Sequence, residues 1–221
     1  MTRPRAARRA PTRKEQQGLE SRRRIVDAAS HLMSERGFAG TSISEVSRLS
    51  GLPASSIYWH FESKEGLLAA VVEEGAQRWF EELHAAGAGS PKLFSAATAA
   101  ALEKRPEFLR LMFLIALERR EIDRTSLAAI RRVRKLALQR IRSALGARLA
   151  EQGALSEAAA RIADELSLFA LAVVDGTFIQ DHIDPRGTDV RRVLEQLDRA
   201  LEVLVRENAA EARQSAARYC R

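Results

Sequence analysis

The stretch 41–64 constrains this chain more than any other, because it contains start and stop signals for two short helices. Ser42 is followed three residues later by Glu45, the spacing of a capping box, which predicts a helix that begins directly after Ser42. Gly51 can take the left-handed conformation that ends a helix, and Pro53 is favourable in the first turn of the next one. The pattern therefore predicts two short helices joined by a tight glycine turn.

Each of these helices has apolar positions on one side only. In the first helix Ile43, Val46 and Leu49 fall three apart, so we expect them to pack inward. In the second helix Ile57 and Phe61 fall four apart and give it one buried side.

The other side of the two helices carries small, polar or aromatic residues. Such side chains let a helix approach the major groove of DNA and contact phosphates and thymine methyl groups. The residues that we predict to contact DNA are Thr41, Ser42, Ser44, Ala54, Ser55, Ser56, Tyr58, Trp59, His60 and Lys64.

Helices are also predicted on both sides of this stretch. The segment 21–37 has apolar residues at the spacing of an amphipathic helix and ends at Gly37, a favourable C-cap. Downstream, Ser63 is placed to cap a further helix. The apolar stripes are Ile25, Ala28, Ala29, Leu32 and Met33 in the first of these helices and Leu67, Leu68, Val71 and Val72 in the second.

Taken together, the run 25–68 resembles the DNA-binding domain of the tetracycline-repressor (TetR) family of bacterial transcription regulators. The residues that carry the resemblance are Gly37, Phe38, Thr41, Ser42, Gly51, Leu52, the segment 56–61, Ser63, Lys64, Glu65, Leu67 and Leu68. The resemblance implies a helix-turn-helix domain that reads operator DNA. One departure is that the second helix begins with Ala54, Ser55 and Ser56, where a reader of guanine would carry Arg, Lys or Gln.

Composition and patterning predict an all-α chain. Strand-like alternation is scarce, and 46% of the 221 residues are hydrophobic, enough for one small and one medium domain. We expect a disordered basic arm at residues 1–20 and a three-helix helix-turn-helix domain at 21–66. An all-helical effector-binding and dimerisation domain is expected at 67–221.

The excess positive charge lies in the first part of the chain. Residues 1–24 hold nine basic and two acidic side chains, which leaves 27 of each in the remainder and accounts for the whole net charge of +7. Two roles fit such an arm: it neutralises DNA phosphates beside the helix-turn-helix domain, or it only keeps the protein in solution.

Several other classes of protein are disfavoured. No apolar run approaches the length that spans a bilayer and no signal-peptide core follows Met1, so we expect a cytoplasmic protein without membrane contact. Cys220 is the single cysteine, which rules out an intramolecular disulfide. The cluster Asp181, His182 and Asp184 suggests a metal site only weakly, because ligands this close rarely converge without one from elsewhere. We predict no metal, no cofactor and no catalytic constellation.

In the predicted effector domain, the helix around residues 108–117 is apolar on nearly all sides. Its aromatic and methionine residues fit two roles, an ordinary core or the wall of a ligand cavity. The residues predicted to bind an effector are Phe108, Met112, Phe113, Phe169, Val173 and Asp175. For Asp175, in the sequence VVDGTF, a hydrogen-bonded structural role is an equal alternative.

The last helix carries apolar residues at spacings of four, three, four and three, a heptad seam: Val190, Leu194, Leu197, Leu201 and Leu204. Thr188 is expected to cap this helix. In the resembled family the last two long helices form the dimer interface, so the resemblance places the seam between two subunits. The alternative is a seam inside one subunit.

The resulting hypothesis is a homodimeric transcriptional regulator, a repressor, that binds double-stranded operator DNA and responds to an unidentified small-molecule effector. One alternative is an all-α enzyme or small-molecule carrier, which the absence of a catalytic constellation disfavours. Another is an architectural DNA binder without an effector.

Overall fold

The computed structural model describes residues 12–85, 94–104, 106–117, 124–154 and 157–219 of the 221-residue chain. These residues form nine α-helices and no strand, which confirms the predicted all-α class. The helices are α1 (Arg13–Arg36), α2 (Ile43–Ser50), α3 (Ala54–Phe61), α4 (Lys64–Ala85), α5 (Phe94–Lys104), α6 (Pro106–Leu117), α7 (Arg124–Glu151), α8 (Glu157–Ile183) and α9 (Val190–Tyr219).

Helix α1 begins well before the start near Ser21 that the apolar pattern predicts. Thr12 is its N-cap: Thr12 Oγ1 accepts from the Glu15 amide, and the Glu15 carboxylate accepts from the Thr12 amide at 2.6 Å. These hydrogen bonds lower the pKa of Glu15. Residues 13–20 of the predicted disordered arm are therefore helical, because a capping box precedes the apolar stripe. Residues 1–11 lie outside the described residues.

The helix-turn-helix segment has the local structure that its caps predict. Ser42 Oγ accepts from the Glu45 amide, and Gly51 ends α2 in the left-handed conformation with φ 66° and ψ 24°. Val46 is fully buried and Ile43 packs against the core, whereas Leu49 is 47% exposed. The predicted inward position of Leu49 is wrong, because the third position of the stripe lies in the last turn of a helix of only eight residues, beyond its contact with the core.

Helix α1 holds the N-terminal part together and also contacts the rest of the subunit. Its buried face, with Ile25, Ala29 and Met33, packs against α2, α3 and α4. It also packs against α6. On the α4 side, Arg78 Nη1 lies 2.6 Å from Asp27 Oδ1, and Arg22 forms an ion pair with Glu74.

Helices α4–α9 pack together in the C-terminal part. Helix α8 lies against α7 and α9, and α5 lies against α4 and α9. Helix α6 buries five of its twelve residues, including Phe108, Leu111 and Ile115. Its last residue, Leu117, is 82% exposed. The expectation that this apolar run is buried on nearly all sides therefore fails at its C-terminal end.

The heptad seam of α9 faces the interior of the subunit. Leu194, Leu197 and Leu201 are at most 3% exposed in the single chain, and Val190 and Leu204 pack against the same core. The prediction that these side chains contact a second copy is wrong for the three buried leucines, because α5 and α8 of their own subunit already cover them.

The start of α9 also differs from the prediction. Asp189 caps it, since Asp189 Oδ1 accepts from the Arg192 amide at 3.0 Å. Thr188, the predicted cap, lies one residue earlier, and its hydroxyl is buried without a hydrogen-bond partner among the described residues.

A close contact between α4 and α6 depends on a glycine. The ring of Phe108 lies against Gly75, and a Cβ at position 75 would lie 2.6 Å from Phe108 Cδ2. Trp79, one turn further along α4, packs against the same ring with centroids 5.9 Å apart. Any side chain at position 75 therefore has to displace a buried aromatic ring and the helix that carries it.

The Gly75→Ala variant should lower the free energy of unfolding by about 1–2 kcal/mol, because the cost of overpacking exceeds the usual gain of alanine in a helix. Gly146 lies in α7 with nothing within 4 Å of the position of a Cβ, so Gly146→Ala is the matched control. It should raise stability by about 0.5–1 kcal/mol. Chemical denaturation of both variants measures the difference, and equal stabilities would contradict the packing described.

Candidate nucleic-acid interface and ligand cavities

Helix α3 presents an exposed aromatic surface. Ile57 and Phe61 are buried as predicted, whereas Trp59 is 77% and Tyr58 51% exposed. Trp59 packs edge-on against His60, with ring centroids 4.6 Å apart. Ser55 is exposed on the same helix. Because large exposed aromatic side chains are uncommon in a folded domain, this surface is a candidate for binding a partner.

The N-terminus of α2 lies beside this surface. Ser42 and Ser44 are exposed, and their hydroxyl oxygens lie 2.9 Å apart. Glu45 accepts hydrogen bonds from the Ser42 side chain and backbone and forms an ion pair with Arg36 at 2.8 Å, and these contacts lower the pKa of Glu45. The Ser42 hydroxyl is therefore engaged in the cap, donating to the Glu45 carboxylate and accepting from the Glu45 amide, and Ser44 is the exposed serine that can meet a partner at this helix N-terminus.

Thr41 does not belong to this surface. It is only 2% exposed, and its hydroxyl donates to the Gly37 carbonyl at 2.9 Å. The prediction that Thr41 contacts DNA is wrong, because its side chain closes the turn between α1 and α2 and has no free face.

The other predicted contact residues are half-buried at the edge of the surface. Ala54, Ser56, His60 and Lys64 each retain part of their accessible area. Lys64 lies in the first turn of α4, with Nζ 4.2 Å from the ring centroid of Phe38. This cation–π contact fixes the lysine stem and keeps its charge at the N-terminal end of α4.

An open cleft of about 1230 Å³ separates α3 from the first turns of α1. Lys14, Gln17 and Ser21 of α1 line one wall of this α1–α3 cleft, and the other wall contains Ser55 and Trp59. Sequence reasoning missed the α1 wall because the helix was expected to start later. The signal that predicts it is the Thr12–Glu15 capping spacing.

The electrostatics of the α1–α3 cleft favour a neutral imidazole. Partial burial and the nearby Arg22 guanidinium both lower the pKa of His60 from its usual value of 6.5. The guanidinium of Arg22 also lies 5.3 Å from the Phe61 ring centroid. At pH 7 His60 therefore acts as a neutral hydrogen-bonding group, and the positive charge comes from Arg22 and Lys14.

In the C-terminal part, four of the six predicted effector residues share a cavity of about 220 Å³. Phe108, Met112, Phe113 and Asp175 line it, together with residues of α4 and α7. Phe169 is 42% exposed on α8 and does not line this cavity, so the cavity lends no support to its predicted ligand role. Val173 packs against the core outside this lining, so its predicted ligand role stays a prediction.

The carboxylate of Asp175 is already paired. Arg134 Nη1 lies 2.9 Å from Asp175 Oδ1, and Arg134 Nη2 lies 2.5 Å from Asp175 Oδ2. This two-bond geometry joins α7 to α8 and satisfies both partners. Between the two roles considered for Asp175, the geometry favours the structural one.

A second cavity, of about 400 Å³, lies among α4, α5, α7 and α8; we call it the α4–α7 cavity. It shares Trp79, Phe80, Ala137, Leu171 and Val174 with the smaller cavity. The sequence gives no signal for it, because its wall combines side chains from four helices whose relative rotation no local pattern specifies.

Thr98 of α5 also lines the α4–α7 cavity. It is 3% exposed, and its Oγ1 has no hydrogen-bond partner among the described residues. An unpaired buried hydroxyl is costly, and such groups in a native protein call for an explanation.

The exposed apolar surface of the last two helices differs from the predicted seam. On α8 it forms a stripe at spacings of three and four residues, and two apolar side chains of α9 are also exposed. The members are Leu168, Phe169, Ala172, Gly176, Ile179 and Ile183 of α8 and Val193 and Val203 of α9. Small residues in the middle of the α8 stripe would allow another helix to approach closely, since nothing lies within 4 Å of a Cβ at Gly176.

No group of three or more metal-binding side chains occurs in the part of the chain that the structure describes. In the suspected cluster, Asp184 accepts from the Gly187 amide, and His182 packs against Phe178 with centroids 4.3 Å apart. None of the described helices is long and apolar enough to cross a membrane.

Comparison with known proteins supports the helix-turn-helix assignment. Residues 25–71 match the family profile described as "Bacterial regulatory proteins, tetR family". The HTH-type transcriptional regulator AcrR of Shigella flexneri is 36% identical over 58 residues, 26% of this chain and 27% of that protein. TtgR of Pseudomonas putida is 33% identical over 61 residues, 28% of this chain and 29% of that protein. The chain thus matches somewhat over a quarter of the length of these relatives.

Solved structures share the fold over most of the chain. A TetR-family transcriptional regulator from Rhodococcus sp. aligns with a TM-score of 0.66 and 18% identity over 85% of this chain and 99% of that chain. A complex of SmeT with triclosan aligns with a TM-score of 0.63 and 22% identity over 81% of this chain and 90% of that chain. At these identities the likeness concerns the fold.

The unpaired hydroxyl of Thr98 makes a testable difference to stability. Thr98→Val removes it at nearly constant volume and should raise the free energy of unfolding by about 1 kcal/mol. Thr177 is equally buried, but its hydroxyl donates to the Val173 carbonyl at 2.7 Å, so Thr177→Val is the matched control and should lower stability by about 0.5–1.5 kcal/mol. Denaturant titrations of both variants measure these free energies of unfolding. A destabilised Thr98→Val protein would mean that the Thr98 hydroxyl has a hydrogen-bond partner.

Proposed function

Because residues 25–71 match the profile of the TetR family of bacterial regulatory proteins, we propose that this chain is a TetR-family regulator and a cytoplasmic transcriptional repressor. In this proposal a homodimer binds a palindromic operator, and a small molecule releases it. The observation that carries the proposal is the capped α2–α3 corner with Ser55, Tyr58 and Trp59 exposed on α3. An enzymatic role is set aside, since the relatives are named as transcriptional regulators.

In the proposed complex α3 enters the major groove. Ser55 and Ser56 are short enough to let the helix backbone approach the base edges, and a serine hydroxyl can donate or accept there. Tyr58 and Lys64 lie at the edge of the surface and contact phosphates. Helix α3 contains no arginine or lysine, so it can make few direct hydrogen bonds to guanine. DNA shape therefore contributes to the choice of operator.

The first turns of α1 supply sequence-independent affinity. The α1–α3 cleft is wide and open; Lys14, Glu15 and Arg22 line its α1 wall, and Arg22 is paired with Glu74. A sugar–phosphate backbone passing beside α3 would meet the Lys14 ammonium on this wall. The alternative, a purely solubilising arm, still applies to the preceding residues 1–11.

The second subunit is proposed to bind on the exposed apolar stripe of α8 and α9. Apolar side chains at helical spacing on two adjacent helices are suited to pairing with the same two helices of another copy about a two-fold axis. Such pairing would bury Leu168, Ile179 and Ile183, which are otherwise in water. Without it the chain would expose an apolar surface of a kind that monomers rarely tolerate.

Effector control is proposed to operate through α4 and α6. Both helices line the smaller cavity, α4 also lines the α4–α7 cavity, and both helices pack against α1 of the DNA-binding part. A ligand that changes their separation would therefore move α1 and with it α3. An architectural DNA binder without an effector is the competing function, and release of bound DNA by a small molecule separates the two.

Removing the Lys64 charge tests the DNA-binding surface. Lys64→Gln should weaken binding to operator and unrelated DNA alike, and it should reduce the magnitude of the slope of log K against log salt by about 0.9, one phosphate contact. Fluorescence anisotropy at several salt concentrations measures both quantities.

Lys135 is the control for this test, because it is exposed on α7, away from the α2–α3 surface. Lys135→Gln should leave the salt slope unchanged. Since Lys64 also packs on Phe38, the stability of each variant is measured in parallel. A Lys64→Gln protein that is folded and has the wild-type slope would rule out its phosphate contact.

A charge on the α8 stripe tests the dimer. Ile179→Glu should give a monomer in sedimentation and should lower operator affinity at least tenfold, because a symmetric interface would bury two like charges. Leu117→Glu places the same charge at an exposed leucine of α6 and should leave the dimer intact. A dimeric Ile179→Glu protein would show that the subunits pair elsewhere.

A further inference from the structure

The α4–α7 cavity has an apolar wall with an unusual balance of charge. Most of its lining is apolar, including Trp79, Leu83 and Ile141. Among its lining residues Arg140 is the one permanently charged side chain, and none is an aspartate or glutamate. A wall of this kind stabilises a bound anion and repels a bound cation.

Arg140 differs from three other arginines of the same helix. Arg132 pairs with Glu73 at 2.5 Å, Arg134 with Asp175, and Arg142 with Asp164 at 3.0 Å. Within the described part of the chain, Arg140 has no carboxylate within ion-pair distance. Its guanidinium instead lies 4.2 Å from the ring centroid of Phe80.

The position of Arg140 suits it to bind the head of a ligand rather than its body. Arg140 is exposed, while Phe80 beneath it is 7% exposed and lines the cavity. An anionic head at this arginine stays in contact with water, which avoids the large cost of burying a charge. The apolar part of the same molecule can then pass over Phe80 towards Trp79 and Leu171.

A nearby carboxylate does not change this balance. Glu81 lines an outer cleft on α4 and α7 that shares Phe80, His84 and Arg140 with the α4–α7 cavity, and the other carboxylate of that cleft, Glu73, is paired with Arg132. Glu81 accepts a hydrogen bond from Gln77 Nε2 at 2.9 Å and is absent from the lining of the α4–α7 cavity.

We propose that the effector is an apolar carboxylic acid, bound as its anion, with the carboxylate at Arg140 and the hydrocarbon body in the α4–α7 cavity. The regulatory role of this ligand rests on the proposed function, whereas its binding at Arg140 does not. Arginine matches a carboxylate with two parallel hydrogen bonds, which gives the head a defined orientation. Lipophilic cations, which need an acidic or aromatic wall without arginine, are excluded.

Trp79 provides the signal for the test. The chain has two tryptophans, Trp59 on α3 and Trp79 in the wall shared by both cavities, so in the Trp59→Phe variant the tryptophan signal comes from Trp79 and the Arg140 substitution identifies the α4–α7 cavity. The fluorescence of this variant is titrated, without DNA, with three probes that share one chain length: decanoate, decanol and decylammonium. Decanoate should bind roughly tenfold more tightly than decanol, and decylammonium should give no saturable change.

Two substitutions in this variant locate the head group. Arg140→Gln should weaken decanoate roughly tenfold and leave decanol unchanged, because only the charged head is affected. Arg132→Gln removes the same charge from the same helix at a residue already paired with Glu73, and it should change neither affinity. Circular dichroism checks that both variants are folded.

Every outcome bears on the proposal. Decanol or decylammonium binding as tightly as decanoate, or more tightly, would overturn it. Absence of binding by all three probes would also overturn it. So would an Arg140→Gln protein that keeps the full preference for decanoate over decanol. Whether decanoate releases DNA from the wild-type protein is measured separately. Binding without release would refute the regulatory role of this site and leave the cavity assignment standing, so the two failures are distinguishable.

Discussion

The packing of Phe108 onto Gly75 is the contact on which the rest of the arrangement depends. It joins α6 to α4 with no intervening side chain, and Trp79 extends the contact towards the cavities. Helix α1 packs against both α4 and α6, and the ion pair between Arg78 and Asp27 adds a polar link. Because tightly packed interiors respond to strain by moving whole helices, the proposed ligand control would reach α1 as a displacement of α4 and α6.

The energy required for such control is modest. A ligand that binds one arrangement of α4 and α6 about a hundredfold more tightly than the other shifts their equilibrium by about 2.7 kcal/mol. The loss of one charge-assisted contact at Arg140 in one of the two arrangements, about 1.5–3 kcal/mol, is of that order. Coupling of this size needs no unfolding of the subunit. It needs only that the two recognition helices of a dimer lose their spacing on DNA.

The sequence predicted those features that short-range chemistry decides. The Ser42 and Glu45 cap, the left-handed Gly51 and the buried Ile57 are local, and all three hold in the structure. The early start of α1 also depends on a local signal, the Thr12 and Glu15 cap. The predicted start was later because it was taken from the apolar stripe, which begins after that cap. The leucines of α9 show the limit of periodicity: a heptad seam indicates that helices pack side by side, and both the subunit's own core and a second copy satisfy it. The α4–α7 cavity depends on the rotation of four helices, which no local signal encodes.

Operator binding by the proposed dimer requires two recognition helices held at a fixed spacing, and the distance between them can be measured directly. A spin label at Glu62, the exposed residue that ends α3, attached in a Glu62→Cys, Cys220→Ser protein, leaves Ser55 and Ser56 free and gives the separation of the two α3 helices by pulsed electron paramagnetic resonance. Bound to operator DNA, the labels should show one narrow distribution near 34–36 Å, or about a multiple of that, once the label length is allowed for. Adding decanoate should broaden or shift it. A signal without any defined distance between subunits would contradict the account.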